Sequence, residues 1–197
     1  MEDYRDAMRQ YIETEISALR NLDLDALNDA ANAIMDARER GGRIYTMGNG
    51  GSGATASHMV CDFAKGAWEK LGGKKFLFEC LNDNMPTVLA VANDIGYEDV
   101  FVFQLKGNLS PADLVIAISG SGNSENVVRA ASYAKEVGAP VIAITGYSGG
   151  RLRELADYSM HVDLDDMQIA EDLHMMFDHM MYSVLTNQLK GIDECGF

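Results

Sequence analysis

Cations are scarce in this chain: 16 lysines and arginines stand against 30 aspartates and glutamates, a formal net charge of −14 over 197 residues. A surface that negative repels a nucleic-acid backbone and an anionic membrane alike, so neither is an expected partner. It also means that any anionic ligand must be held by local backbone dipoles rather than by a basic patch. Cysteine is nearly as rare. Cys61, Cys80 and Cys195 are odd in number, lack metal-type spacing and lie among apolar residues, which argues against a disulfide framework and suits a reduced compartment. No apolar run approaches the ~18 residues a spanning helix needs, and the N-terminus does not read as a signal peptide. A soluble, cytoplasmic protein is expected. Repeats and low-complexity segments are missing too. What the chain does have is 47% hydrophobic residues and enough length for one sizeable core, so a single domain over residues 1–197 is expected.

The chemistry is expected to centre on Tyr45 to Asp62. An apolar run (Ile44, Tyr45, Met47) meets Gly48, Gly50, Gly51 and Gly53, and then a run of small residues and Met that reads as helix. Strand, glycine loop and helix start in that order bring backbone N–H groups and a positive helix end to one point, where phosphate is the natural guest. Asn49 and Ser52 add side-chain hydrogen bonds. With a helix beginning near Gly53, His58 and Asp62 fall four residues apart on one face. Two blander readings stay open: the glycines serve only a tight turn, or His58 and Asp62 are a surface pair. Gly48 to Gly53 also spells the dinucleotide-loop pattern. An acid is then expected ~20 residues beyond it, whereas Glu79 stands 26 residues after Gly53, so no nucleotide cofactor is expected.

Ala7, Tyr11, Ile12, Leu19, then Leu24, Leu27, Ala31, Ile34 and Met35 recur near a 3.6 period and predict two amphipathic helices, the second capped by Asp23 and ended by Gly41 and Gly42. Residues 1–42 are thus a helical arm that needs a partner surface, expected to be another subunit. Residues 43–166 alternate strand and helix. Strands are predicted around Ile44, over 75–80, 114–118, 140–145 and 158–162; helices follow from Gly53, Pro86, Asp99 and Glu125, with Asn93-Asp94 in a polar turn. Met167 to about Lys190 reads as a long helix within the C-terminal segment 167–197, with Ile169, Leu173, Met176, Met180, Val184 and Leu185 as its buried face. Five such cycles predict an α/β fold, a three-layer sandwich around an open five-stranded parallel sheet. The loops 48–53, 119–124 and 146–150 should converge at one sheet edge.

Ser119-Gly120-Ser121-Gly122-Asn123-Ser124 sets hydroxyls beside exposed N–H groups at another helix start, a phosphate nest rather than a dinucleotide loop, although such loops also serve as plain connectors. Gly48-Asn49-Gly50-Gly51-Ser52, Asn93-Asp94, Ile118 to Ser124 with Asn126-Val127, and Thr145-Gly146 with Gly149-Gly150 together resemble a sugar isomerase (SIS) domain. Within that superfamily they are most similar to the phosphoheptose isomerase branch, and the likeness spans nearly the whole chain. The resemblance implies a flavodoxin-like fold, a homo-oligomer, expected as a tetramer, and an aldose–ketose isomerase converting sedoheptulose 7-phosphate to a heptose 7-phosphate. It implies that Asn49, Gly50, Gly51 and Ser52 line the sugar phosphate, that Asn93 and Asp94 meet its hydroxyls, and that Ser119, Gly120, Ser121 and Ser124 hold the phosphate. Asp62 stands where the family has a catalytic glutamate and His179 where it has a catalytic histidine. A histidine matching His58 and a glutamine matching Glu171 complete a zinc site in some members, so His58, Asp62, Glu171 and His179 are the implied ligands of one zinc ion per site, and Glu171 an implied substrate contact. The shorter Asp62, the charged Glu171 and a glycine at position 53 depart from that pattern.

Glu171 and His179 are eight residues apart, about 12 Å along a regular helix and roughly 80° around it, too far for one ion. Either the helix begins after Glu171 or the ligands come from different subunits, which predicts an active site shared between chains. Glu171, His174 and Asp178 share one stripe, with the spacing of an ordinary surface network. Met175, Met176, Met180 and Met181 are expected to pack against a partner. A noncatalytic phosphosugar sensor or replication-initiator adaptor is the main rival, since SIS domains serve in those roles too; retention of His58, Asp62 and His179 argues against it.

Overall fold

The computed structural model describes residues 2–191, so Cys195 and the chain end lie outside the described residues. Helices α1 (Arg5–Arg20) and α2 (Leu24–Arg40) form the arm. Asp23 caps α2 by accepting from the Ala26 amide, and Gly41 at φ 74° closes it in the left-handed conformation. Leu27, Ala30, Ile34 and Ala37 are buried at helical spacing, so α2 is seated on the sheet; α1 buries no residue, and Met8 and Ile12 on it, like Tyr4 just before it, are more than half exposed.

The sheet then forms from β1 (Arg43–Gly48), β2 (Leu77–Cys80), β3 (Leu114–Ser119), β4 (Val141–Thr145) and β5 (Tyr158–His161). All pairings are parallel and the spatial order is β2-β1-β3-β4-β5. Between β1 and β2 run α3 (Gly50–Val60), a seven-residue π-helical stretch (Cys61–Ala67) and α4 (Trp68–Leu71), continuous with one another. Next come α5 (Met85–Asp94), a 3₁₀ turn at Tyr97–Asp99, α6 (Val102–Leu105), α7 (Glu125–Val137), α8 (Gly150–Leu155) and α9 (Met167–Leu189). Helix α3 starts three residues earlier than expected, at Gly50, because glycine accepts the φ of +53° that turns strand into helix there. Asn93 and Asp94 fall in the last turn of α5 rather than in a separate turn.

Alternation along the strands sorts the core into two halves. Ile44, Ile116, Ile118, Ile142 and Ile144 meet α2, α3 and α9 on one face, while Tyr45, Met47, Val115, Ala117, Val141 and Ala143 meet α6 and α7 on the other. Every residue of β3 is buried, as its unbroken apolar run requires of a central parallel strand. The chain leaves β1 for β2 on one side and returns to β3 on the other, so β1 and β3 are neighbours whose following loops diverge in a crevice. Gly48 pairs with Ile118 in register, which places the loop after Gly48 directly beside the loop after Ser119.

Candidate active site

The two loops close on a cavity of about 120 Å³ lined by Asn49, Ser52, Ile118, Ser119, Gly120, Ser121, Ser124, Met167 and Glu171. No lysine or arginine lines it. The N-termini of α3 and α7 supply the positive end instead, through amides that a helix leaves without internal partners. Ser119 donates to the Ser124 hydroxyl at 3.1 Å, and Ser121 accepts from the Asn123 amide at 3.2 Å. Asn49 is a strut as well as a lining group: it exchanges amide hydrogen bonds of 2.9 and 2.8 Å with Asn126 on α7 and accepts from the Tyr97 hydroxyl at 2.8 Å. The third loop braces the second. Gly146 donates to the Gly120 carbonyl at 2.9 Å, and Gly122, at φ +66°, passes so close to the Gly149 carbonyl that a Cβ there would lie 1.8 Å from its oxygen. Among the sugar-contact residues the resemblance implied, Asn93 and Asp94 do not reach this cavity; both are exposed, and Asn93 donates to Asp94 at 2.7 Å.

A second cluster lies further along the same helices. On α3 and its π-helical extension, His58 and Asp62 approach to 3.7 Å; on α9, His179 Nε2 stands 3.1 Å from His58 Nε2 and 4.0 Å from Asp62 Oδ2. The wider π turn is a device that recurs at functional sites, and here it buries Phe63 completely while its neighbour Asp62 faces α9. Asp62 and His179 therefore meet within one chain. The geometric argument that separate subunits must supply the cluster is corrected by the position of Glu171: α9 begins at Met167, so Glu171 is helical, but it lines the cavity between the two loops, where its carboxylate covers Gly51 so closely that a Cβ there would lie 2.3 Å from it. Glu171 is thus not brought to the cluster of His58, Asp62 and His179.

Asp178 takes its place there. Ligand atoms of His58, Asp62, Asp178 and His179 all lie within 4.8 Å of one another. The stripe of Glu171, His174 and Asp178 exists, but it faces inward and is not a surface network. His174 and Asp178 are fully buried, and neither ring nitrogen of the one nor carboxylate oxygen of the other has a hydrogen-bond partner. Burial pushes the Asp178 carboxyl up to about 7, with the nearby Asp62 charge adding to the shift, and it pushes His174 down to about 4. The buried face of α9 is correspondingly turned. Phe177 and Met181 fill the core, Met176 and Met180 pack at its margin, and Val184 is 44% exposed. The only sequence signal for Asp178 was a carboxylate set in the apolar run Met175, Met176, Phe177, Met180, Met181, which does not by itself say whether it faces water or core. His161 on β5 is half-buried with Nδ1 3.0 Å from the Thr145 hydroxyl, as a core or edge histidine should be.

Residues 3–146 match the family described as the SIS domain. The chain is 34% identical to the probable phosphoheptose isomerase of Thermoplasma acidophilum, over 90% of this chain and 96% of that protein. It is 38% identical to the phosphoheptose isomerase of Mycobacterium tuberculosis, over 89% of this chain and 90% of that one. A solved phosphoheptose isomerase from Francisella tularensis superimposes with a TM-score of 0.86 at 26% identity, covering 94% of this chain and all of its own. Likeness of that extent makes this chain a member of the SIS domain family, alongside the phosphoheptose isomerases.

Proposed function

We propose that the protein is an aldose–ketose isomerase that acts on sedoheptulose 7-phosphate. The observation that carries this reading is the pairing of α3 with α9. Gly51 touches Glu171 at the phosphate end and His58 touches His179 at the other, so the two helices run side by side in the same direction. Seven and eight residues of helix, about 10–12 Å, separate the phosphate pocket from the acid–base cluster. An extended chain advances about 1.2 Å per bond, so the eight bonds from phosphorus to C1 of a seven-carbon sugar span roughly 10 Å, and a triose phosphate about half that. Heptose length fits; shorter sugars leave the reacting carbons short of His179.

In this reading the amides of both loops, with the Ser119, Ser121 and Ser124 hydroxyls, hold the phosphate, and that remote binding aligns C1 and C2. His179 takes the proton from C1 beside the C2 carbonyl as Asp62 gives one to the carbonyl oxygen, forming an enediol. The proton then returns to C2 while the O1 hydroxyl proton is withdrawn, which leaves the aldehyde. The donor set of two imidazoles and two carboxylates, one of them buried without a partner, fits a divalent cation. His58, Asp62 and His179 would hold zinc, which when bound polarises sugar oxygens as a Lewis acid. A homotetramer, closed over the apolar face of α1, and a cytoplasmic site of action complete the proposal. It is supported by four apolar side chains of α1, Met8, Tyr11, Ile12 and Leu19, and Tyr4 just before it, standing at least 37% exposed; no helix among the described residues is long and apolar enough to cross a membrane. Turnover against pentose, hexose and heptose ketose phosphates tests the activity and the length argument together. Conversion should be fastest with the seven-carbon substrate; absence of conversion with every member would leave a binding protein.

A further inference from the structure

We infer that Asp178, and not Glu171, completes the metal-binding set of this chain with His58, Asp62 and His179. The inference rests on the isomerase reading only for its expectation of a metal at this cluster; the choice of ligand comes from the geometry. Donor atoms around a tetrahedral ion at ~2.0–2.1 Å lie about 3.3–3.4 Å apart. The His58–His179, His58–Asp62 and His179–Asp62 separations of 3.1, 3.7 and 4.0 Å bracket that figure, and all four donors lie within 4.8 Å. Glu171 is two turns away, its carboxylate packed over Gly51 and turned to the phosphate cavity.

The second observation is the state of Asp178 itself. Its side chain is fully buried, faces Asp62 across the gap between α9 and the π-helical stretch, and offers two oxygens that no group among the described residues satisfies. Buried polar groups are nearly always partnered, and an unpaired carboxylate beside another carboxylate is a costly arrangement unless a cation joins them. Two aspartates balance the charge of a divalent ion, whereas His58, Asp62 and His179 alone leave it half neutralised. The mixed nitrogen and oxygen set suits zinc and also admits manganese or iron(II). The substitution of carboxylate for amide at position 171, implied by the family pattern, then has nothing to do with the metal.

The test is zinc affinity, measured on metal-free protein by competition with a chromophoric chelator, for the native chain, Asp178→Asn and Glu171→Gln. Asp178→Asn should weaken zinc binding by about tenfold or more, and Glu171→Gln should leave it within about twofold. Melting temperature gives a readout independent of turnover. Metal-free Asp178→Asn should melt close to the native chain, because the carboxyl it replaces has no hydrogen-bond partner among the described residues to lose, yet gain less from saturating zinc. Asp178→Ser serves if the asparagine variant folds poorly. Equal zinc affinity in native and Asp178 variants, or a loss confined to Glu171→Gln, overturns the inference. Zinc binding that follows Asp178 in a protein that turns over no sugar phosphate would fail the isomerase reading and leave the ligand assignment standing; turnover with zinc binding indifferent to Asp178 would do the reverse.

Discussion

Replacing Glu171 by glutamine should tighten sugar-phosphate binding if the phosphate sits where proposed, because it removes a carboxylate from the wall of that cavity. The cavity of about 120 Å³ is equivalent to a sphere of roughly 3 Å radius, so a phosphorus at its centre would stand about 5 Å from a carboxylate on the wall. A phosphate of charge near −2 then meets the side chain with about 1.7 kcal/mol of repulsion at the dielectric of water and about 3 at half that value. Glu171 is half-buried, and salt at ~0.15 M screens over about 8 Å, which brings the net effect to ~1–2 kcal/mol. That corresponds to a decrease in dissociation constant of about five- to thirtyfold. Calorimetric titration with the product analogue sugar alcohol phosphate, at low and high salt, measures it, and the gain should shrink as salt rises. Unchanged binding, or weaker binding, would refute the argument: the carboxylate would then be accepting hydrogen bonds from sugar hydroxyls rather than opposing the phosphate.

Ser119→Ala combined with Ser121→Ala should weaken binding of the same ligand by more than about a hundredfold, since each hydrogen bond to a charged group contributes about 1.5–3 kcal/mol and two are lost; an unchanged Michaelis constant would remove these hydroxyls from the phosphate site. Asp62→Asn and His179→Ala should each abolish most turnover, and mixing the two proteins under subunit exchange should restore none, because both groups stand in one chain 4.0 Å apart. Regained activity would show that neighbouring chains trade these residues after all. The buried pair on α9 predicts a pH signature in metal-free protein. His174, depressed to about 4, contributes stability that is present above about 6.5 and lost as pH falls towards 4; Asp178, raised to about 7, contributes stability that is present below about 3.8 and lost as pH rises towards 7. The two slopes oppose each other between about 4 and 6.5, so the native chain should be nearly flat there, and Asp178→Asn should unmask a rise with pH of up to ~1.4 kcal/mol per unit. Denaturant melts across that range check it; a flat profile in the variant would show that His174 is not buried neutral.

The loop half of the candidate site was legible in the sequence because it is local. Glycines that let the chain turn at Gly48 to Gly51 and hydroxyls spaced along Ser119 to Ser124 act within a few residues of where they stand, at helix starts that periodicity alone predicts. The fully apolar run of β3 likewise determined its central place, which in turn put the two loops side by side. The other half depended on how α9 is rotated and where it is laid. Apolar residues surround that helix almost completely, through Leu173, Met175, Met176, Phe177, Met180 and Met181, so no single buried face follows from its pattern, and the stripe bearing Glu171, His174 and Asp178 could face water or core with equal ease. Tertiary packing decided it. Seating α9 in register beside the glycine-rich start of α3 turned the stripe inward, placed Glu171 at the cavity between the loops, and delivered Asp178 with His179 to His58 and Asp62. No local rule sees that partition, because it is set by contacts between residues more than a hundred positions apart along the chain.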